Sequence, residues 1–183
     1  MCNNLRQTPN FIYSISCTTR APRPGEIHGE DYYFLSKEDF LEKVQAGEFL
    51  EHAEVHGNFY GTLRETVLIH LQSGVDVLLD VDTKGARTIR ECQDAAIQNA
   101  LVDVFIMPPS LEELRRRLIK RGTETPEQIE LRMGNAVAEM QFWKEYRYTL
   151  VSGSMEEDLQ KFRAIMRAER QMSKRLRMLF KDE

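Results

Sequence analysis

The sequence predicts an α/β domain built on a mostly parallel sheet, and three observations predict it. Strand-like apolar runs alternate with helix-like periodic segments along most of the chain, the pattern of strands joined by crossover helices. Two of the runs, 75–82 and 101–107, are almost continuously apolar in their centres, as strands buried on both faces must be. The chain has 183 residues, enough for one domain with a substantial core.

Taken in order, residues 1–7 read as the end of a helix, broken by Pro9-Asn10, and 11–16 as an apolar strand. A basic hook leaves the C-terminal end of that strand: Ser16-Cys17-Thr18-Thr19-Arg20-Ala21-Pro22-Arg23-Pro24-Gly25-Glu26. Ligands of open α/β sheets gather at such strand ends. Prolines beside Arg20 and Arg23 stiffen the turn, and two planar guanidinium groups on a stiff turn make an anion site suited to phosphate. An exposed basic turn without a ligand is the other reading. Residues 31–35 form a short aromatic strand. Ser36 then caps a helix, aided by Asp39, with Phe40, Leu41 and Val44 on its apolar face and Gly47 at its stop. Residues 49–55 are extended, His56-Gly57-Asn58 turns, and 59–62 leads out, so 29–62 reads as a small mixed β lobe with one helix.

Residues 63–73 are helical by the spacing of Val67, Leu68 and Leu71, and Gly74 ends them. The strand 75–82 closes on Asp80 and Asp82, which share a face because strand side chains repeat every two residues. Acids at the end of a buried strand are costly unless paired or near a cation, so they either cap the helix beginning near Gly85 or serve a metal or a nucleotide. The strand 101–107 stops at Pro108-Pro109, and Ser110 with Glu113 forms a capping-box pattern for a helix lined by Leu111, Leu114 and Leu118. Thr125-Pro126-Glu127-Gln128 starts another, expected to reach about Tyr146 with Ile129, Met133, Val137, Met140 and Trp143 facing the core. The connection Arg121-Gly122-Thr123-Glu124-Thr125, with Arg132 one helix later, is either a basic lid over a charged substrate or a solvated hairpin. A last strand spans 148–152 and a terminal helix 155–180, and from Lys161 to Glu183 the chain carries eight Lys or Arg against three acids.

The formal charge of −4 argues against general nucleic-acid binding, so any anion site is local. Three scattered cysteines, Cys2, Cys17 and Cys92, suggest a reducing cytoplasm and no disulfide framework. The four histidines show no metal-ligand spacing, and no apolar run is long enough for a membrane span.

The hook, together with Gly29-Glu30-Asp31-Tyr32-Tyr33-Phe34, resembles the nucleotide-monophosphate-binding signature of guanylate kinases. So do Gly47-Glu48-Phe49-Leu50-Glu51, Val55-His56-Gly57-Asn58-Phe59-Tyr60-Gly61-Thr62, Leu79-Asp80-Val81-Asp82 with Gly85-Ala86, and Pro108-Pro109-Ser110. The connection 121–125 resembles the family's lid. The resemblance covers about 11–152, in the family's order and spacing. It implies a single P-loop kinase-type domain: a core of 1–28 and 63–120, a GMP-binding lobe of 29–62, a lid with its following helix at 121–146, and a core strand with the basic C-terminal helix at 147–183. It implies phosphoryl transfer from ATP to GMP, with Mg²⁺, in purine nucleotide metabolism.

By resemblance, Arg20, Arg23, Tyr32 and Tyr60 hold the phosphate, and Glu51 accepts hydrogen bonds from guanine N1–H and the 2-amino group. Ser16 and Thr62 hold the base edge, Gly61 belongs to the same set, and Asp82 lies near the GMP. Asp80 lies near Mg²⁺ and, with Arg121 and Arg132, carries the catalytic step. The implied partners are GMP and ATP, without nucleic acid or membrane, and a homo-oligomer is compatible with the family.

The sequence departs from the family in one large respect. No G-x-x-x-x-G-K-[ST] loop occurs in the 183 residues, and the strand that precedes it in the family is absent too, which would leave neighbouring strands unpaired. The sequence reading therefore expects a start upstream of Met1 and little phosphoryl transfer by the chain as written. Its rival is an inactive kinase-like module that binds GMP or a phosphorylated peptide. Two smaller departures leave their positions without a role: Thr83-Lys84 replaces the family's Gln, and Ser152-Gly153 its Asn-Asp on the adenine side.

Overall fold

The computed structural model describes residues 10–55, 57–122 and 125–176, with Arg121 described by its backbone alone. The expected helix end at 1–7, His56 of the turn, Thr123-Glu124 of the lid and the tail beyond 176 lie outside the described residues. The chain divides into two compact units between Leu101 and Val102.

The first unit runs β1 (Phe11–Tyr13), β2 (Cys17–Thr18), β3 (Tyr33–Phe34), α1 (Lys37–Gln45), β4 (Phe49–Val55), β5 (Asn58–Leu63), α2 (Arg64–Gln72), β6 (Asp76–Leu78), α3 (Thr83–Glu91) and α4 (Ala95–Ala100). β1 and β6 pair in parallel. A four-stranded sheet in the order β3-β2-β5-β4 is parallel at β2–β3 and antiparallel elsewhere. This is the small mixed lobe that the alternating aromatic segments predict. Its core is Phe40 of α1, fully buried and stacked on Phe49 at 4.5 Å and on Phe59 at 5.5 Å between ring centroids. A second core joins Leu50 of β4 to Val67, Ile89 and Ile97 of α2, α3 and α4. β4 therefore holds both cores together, with adjacent residues serving different ones.

Helix ends fall where their chemistry places them. The Ser36 hydroxyl accepts from Asp39 N–H, and Gly47 takes the left-handed φ of +68° after α1. Strands differ more from expectation. The predicted strand 11–16 is divided, because the chain leaves β6 after Ser14 N–H donates to the Leu78 carbonyl and enters the lobe sheet at Cys17. The predicted strand 75–82 shrinks to β6 for the same reason: among the described residues its ladder partner is three-residue β1 alone. α4 is not foreseen, since six residues give too little pattern to read.

The second unit runs β7 (Val104–Met107), α5 (Leu111–Arg121), α6 (Pro126–Glu139), a 3₁₀ segment Met140–Glu145, β8 (Tyr148–Val151), α7 (Met155–Arg170) and a 3₁₀ turn Ser173–Arg175. β7 and β8 pair in parallel through four rungs. Among the described residues each parallel ladder has two strands. Thr125 and Gln128 complete the expected capping box of α6. The box at Ser110 is half formed, because Glu113 turns to Arg116 and Arg117 instead of back to the cap. Leu111, expected in the core, is 42 % exposed. The helix expected to reach Tyr146 tightens into 3₁₀ turns after Glu139, which takes Trp143 off the helical face, and Val137, still within α6, is exposed as well. The terminal helix stops at Arg170 rather than 180, where buried Glu169 is taken by Tyr148, Arg147 and Arg175 and ties the helix end to β8. At its start, buried Asp158 accepts from Ser152 Oγ at 2.7 Å and Gly153 N–H at 2.8 Å, and Arg117 donates to the same Ser152 hydroxyl. Ser152-Gly153 is thus a joint that fixes α7 to β8.

Candidate functional site

The first unit carries a cleft of about 350 Å³ whose walls include Ser16, Tyr32, Glu51, Tyr60, Asp80 and Asp82. One wall is β4. Glu51, Ala53 and Val55 all line the cleft, two residues apart, as one face of a strand must. A β-bulge sets which face that is. The register slips between Phe49, opposite Leu63, and Glu51, opposite Thr62. The extra residue lets Phe49 and Leu50 fill the two cores while Glu51 still reaches the cleft; a regular strand would put Glu51 on the same side as Phe49.

Glu51 is 7 % exposed. Its Oε1 accepts the Thr62 hydroxyl proton at 2.6 Å. Burial pushes its carboxyl above the ordinary range, the bond from Thr62 pulls it back, and the nearby Asp82 charge raises it further. A buried acid with one oxygen satisfied and a cleft in front of it is suited to accept paired N–H donors from a ligand. Thr62 is itself buried and donates to Glu51, so the structure shows it holding the carboxylate. Gly61 lines the cleft and also packs: a Cβ there would stand 2.8 Å from the Phe49 ring.

At the other side, Tyr32 and Tyr60 meet edge to face at 6.2 Å between centroids. Arg20 lies over Tyr32 at 5.5 Å, and Tyr60 nearby favours its charged form. Glu26 holds the same guanidinium: Arg20 Nη2 donates to both carboxylate oxygens at 2.8 and 2.9 Å, and Nη1 donates to the Ala21 carbonyl at 2.6 Å. The Glu26 carboxyl also accepts the Arg23 amide, and that bond, then Arg20, keeps it below its usual range. The hook is thus preorganised by an internal acid, which the sequence reading quotes as part of the motif but gives no role. The signal was the charge pairing of Arg20 with Glu26 six residues on. The Arg23 side chain is exposed and does not line the cleft.

Asp80 and Asp82 line the cleft in the irregular segment after β6, both exposed. The two readings of this pair divide between them. Asp82 is the cap of α3, its Oδ1 accepting from Gly85 N–H at 2.7 Å. Asp80 is left as the acid available to a ligand. Among the described residues no three His, Cys, Asp or Glu gather as a ready-made metal site. Arg121 ends α5 and Arg132 lies in α6, so both belong to the second unit. The cleft thus brings together Ser16, Tyr32, Glu51, Tyr60, Gly61, Asp80 and Asp82 of the predicted set, with Arg20 against its tyrosines and Thr62 behind its acid.

With this geometry in hand, comparisons with known proteins are informative. A model of the guanylate kinase family matches residues 4–169. The guanylate kinase of Clostridium tetani is 42 % identical over 170 residues, covering 93 % of this chain and 79 % of the relative. That of Salmonella paratyphi A is 49 % identical over 157 residues, covering 86 % and 73 %. The crystal structure of guanylate kinase from Anaplasma phagocytophilum superimposes with a TM-score of 0.79 at 39 % identity, covering 94 % of this chain and 82 % of the other.

Proposed function

This chain belongs to the guanylate kinase family and is an enzyme of that type, and from that premise we propose that the cleft of the first unit is its GMP site, the acceptor site for a phosphoryl group from ATP. The observation that carries the assignment is Glu51, a buried acid held by Thr62 with a cleft before it. Guanine offers N1–H and a 2-amino group side by side, and one ionised carboxylate accepts both. Adenine offers neither in that place and leaves the acid unpaired, a mismatch worth roughly 10⁴-fold in sites built this way. Ser16 meets the base edge from the opposite strand end, and Asp82, while capping α3, lines the same wall.

Arg20, with Tyr32 and Tyr60, takes the phosphate, whose oxygens replace Glu26 on the guanidinium fork; Arg23, exposed beside it, adds charge when the phosphate arrives. Asp80, exposed on the cleft wall, is the residue that would hold Mg²⁺, an ion that commonly takes one or two carboxylates and completes its shell with substrate phosphates and water. When bound, the ion neutralises charge on the bridging phosphates. Arg121 and Arg132 are assigned by resemblance to the charge that spreads over the transferring group. The same reading places the reaction in cytoplasmic purine nucleotide metabolism. No residue is assigned to the phosphates of ATP.

Titration calorimetry of GMP and AMP over a range of pH tests this assignment. Only ionised Glu51 accepts from both guanine donors. Its carboxyl is held above the ordinary range by burial, so the preference for GMP declines as pH falls through that raised value. The empty chain behaves oppositely. Between the unfolded and folded values the native state binds the extra proton, so its stability declines as pH rises through that window. A folded chain that binds no GMP, or a GMP preference that does not decline on acidification of the still-folded chain, would remove the assignment.

A further inference from the structure

We propose that Gly85 is a positioning residue for guanine recognition: its missing side chain is the space in which the Glu51 carboxylate rests. Gly85 lies buried in the first turn of α3, three residues after the Asp82 cap. A Cβ at that position would stand 2.7 Å from Glu51 Oε2, 3.2 Å from Glu51 Cδ and 3.3 Å from Asp82 Oδ1. Its backbone φ is not in the left-handed region, so the conformation itself makes no demand for glycine. What demands it is the approach of two carboxylates, Glu51 much the closer and the Asp82 cap at the edge of tight contact. Glu51 Oε1 is already fixed by Thr62, so the carboxylate cannot rotate freely away from an added methyl group; it must shift as a whole.

The obstacles are side-chain carboxylates rather than backbone, and Glu51 is the one inside contact distance, so alanine at Gly85 is tolerated by the helix and moves the cost chiefly onto the Glu51 carboxylate. Ordinary helical backbone favours alanine over glycine. A substitution that leaves the fold unharmed and damages the reading of one base edge is the mark of a positioning residue.

The inference rests on Glu51 as the guanine sensor, and the test separates the two. Calorimetry on the full chain compares GMP with inosine monophosphate, which keeps N1–H and O6 and lacks only the 2-amino group. Four proteins are compared: unchanged, Gly85→Ala, Glu51→Gln and the double variant. The expected result is that Gly85→Ala lowers the preference for GMP over inosine monophosphate by about 10-fold, the loss of one hydrogen bond to a charged acceptor, without lowering the melting temperature. In the Glu51→Gln background the same change then shifts the preference by less than about 2-fold, because coupled residues do not add. If Gly85→Ala leaves the preference intact while Glu51→Gln abolishes it, Gly85 does not position the sensor and the reading of Glu51 stands. If Glu51→Gln itself leaves the preference intact, both fall. A steep drop in melting temperature for Gly85→Ala also overturns the inference, since the glycine would then serve the packing of α3.

Discussion

Glu51→Gln lowers GMP affinity by about 100-fold or more and leaves AMP affinity within about 3-fold, the largest change expected of any single substitution in the cleft. The glutamine keeps the shape of the side chain and the bond from Thr62. It replaces an acceptor-only carboxylate with an amide that presents one acceptor and one donor. One guanine donor loses a charged partner and the other meets a like donor. Adenine has a bare N1 in the same place and loses nothing comparable. Competition titrations with GMP and AMP read the effect. An equal fall for both nucleotides would mean that Glu51 supports the cleft without sensing the base. The empty variant should also be more stable than the unchanged chain at neutral pH, because burial makes the ionised carboxylate unfavourable there. Recognition at this position is held at the expense of the unliganded fold.

The second large effect belongs to Arg20. Arg20→Ala weakens GMP by about 30-fold or more while guanosine, which lacks the phosphate, changes by less than about 3-fold. The geometry makes the reason specific. Arg20 lies on Tyr32 and donates to both Glu26 oxygens and the Ala21 carbonyl, so the guanidinium is fixed before any phosphate arrives. A lysine keeps the charge and loses the fork, so Arg20→Lys recovers only part of the difference. Parallel titrations with GMP and guanosine distinguish this from general damage. Equal losses for the nucleotide and the nucleoside would show that Arg20 braces the hook and does not meet phosphate.

The α/β class, the mixed lobe and the caps at Ser36 and Thr125 were legible, because each depends on a local pattern, and the contiguous motifs were enough to single out Glu51 and Arg20 as residues to examine. What was not legible depends on meetings between distant segments. Nothing near Leu50 announces a bulge; it arises because β4 must fill two cores and still turn Glu51 to the cleft. Thr62 could be placed by motif but not seen as the donor that holds Glu51, since that bond needs the β4–β5 register. Gly85 reads as one more small residue in a helix until the carboxylate of a strand 34 positions earlier is found against it. Strand lengths were overestimated at 75–82 because apolar content reports burial, whereas a ladder lasts only as long as its partner.

Both ends of a guanine nucleotide are proposed to bind in one cleft built within residues 10–101. A crystal structure of the chain with GMP tests it most directly. The expected structure has the guanine edge within hydrogen-bond distance of Glu51, the phosphate on Arg20 between Tyr32 and Tyr60, and the Arg20–Glu26 pair opened by the phosphate oxygens. A nucleotide bound elsewhere on the chain, or one bound in the cleft with its base turned away from Glu51, would contradict it.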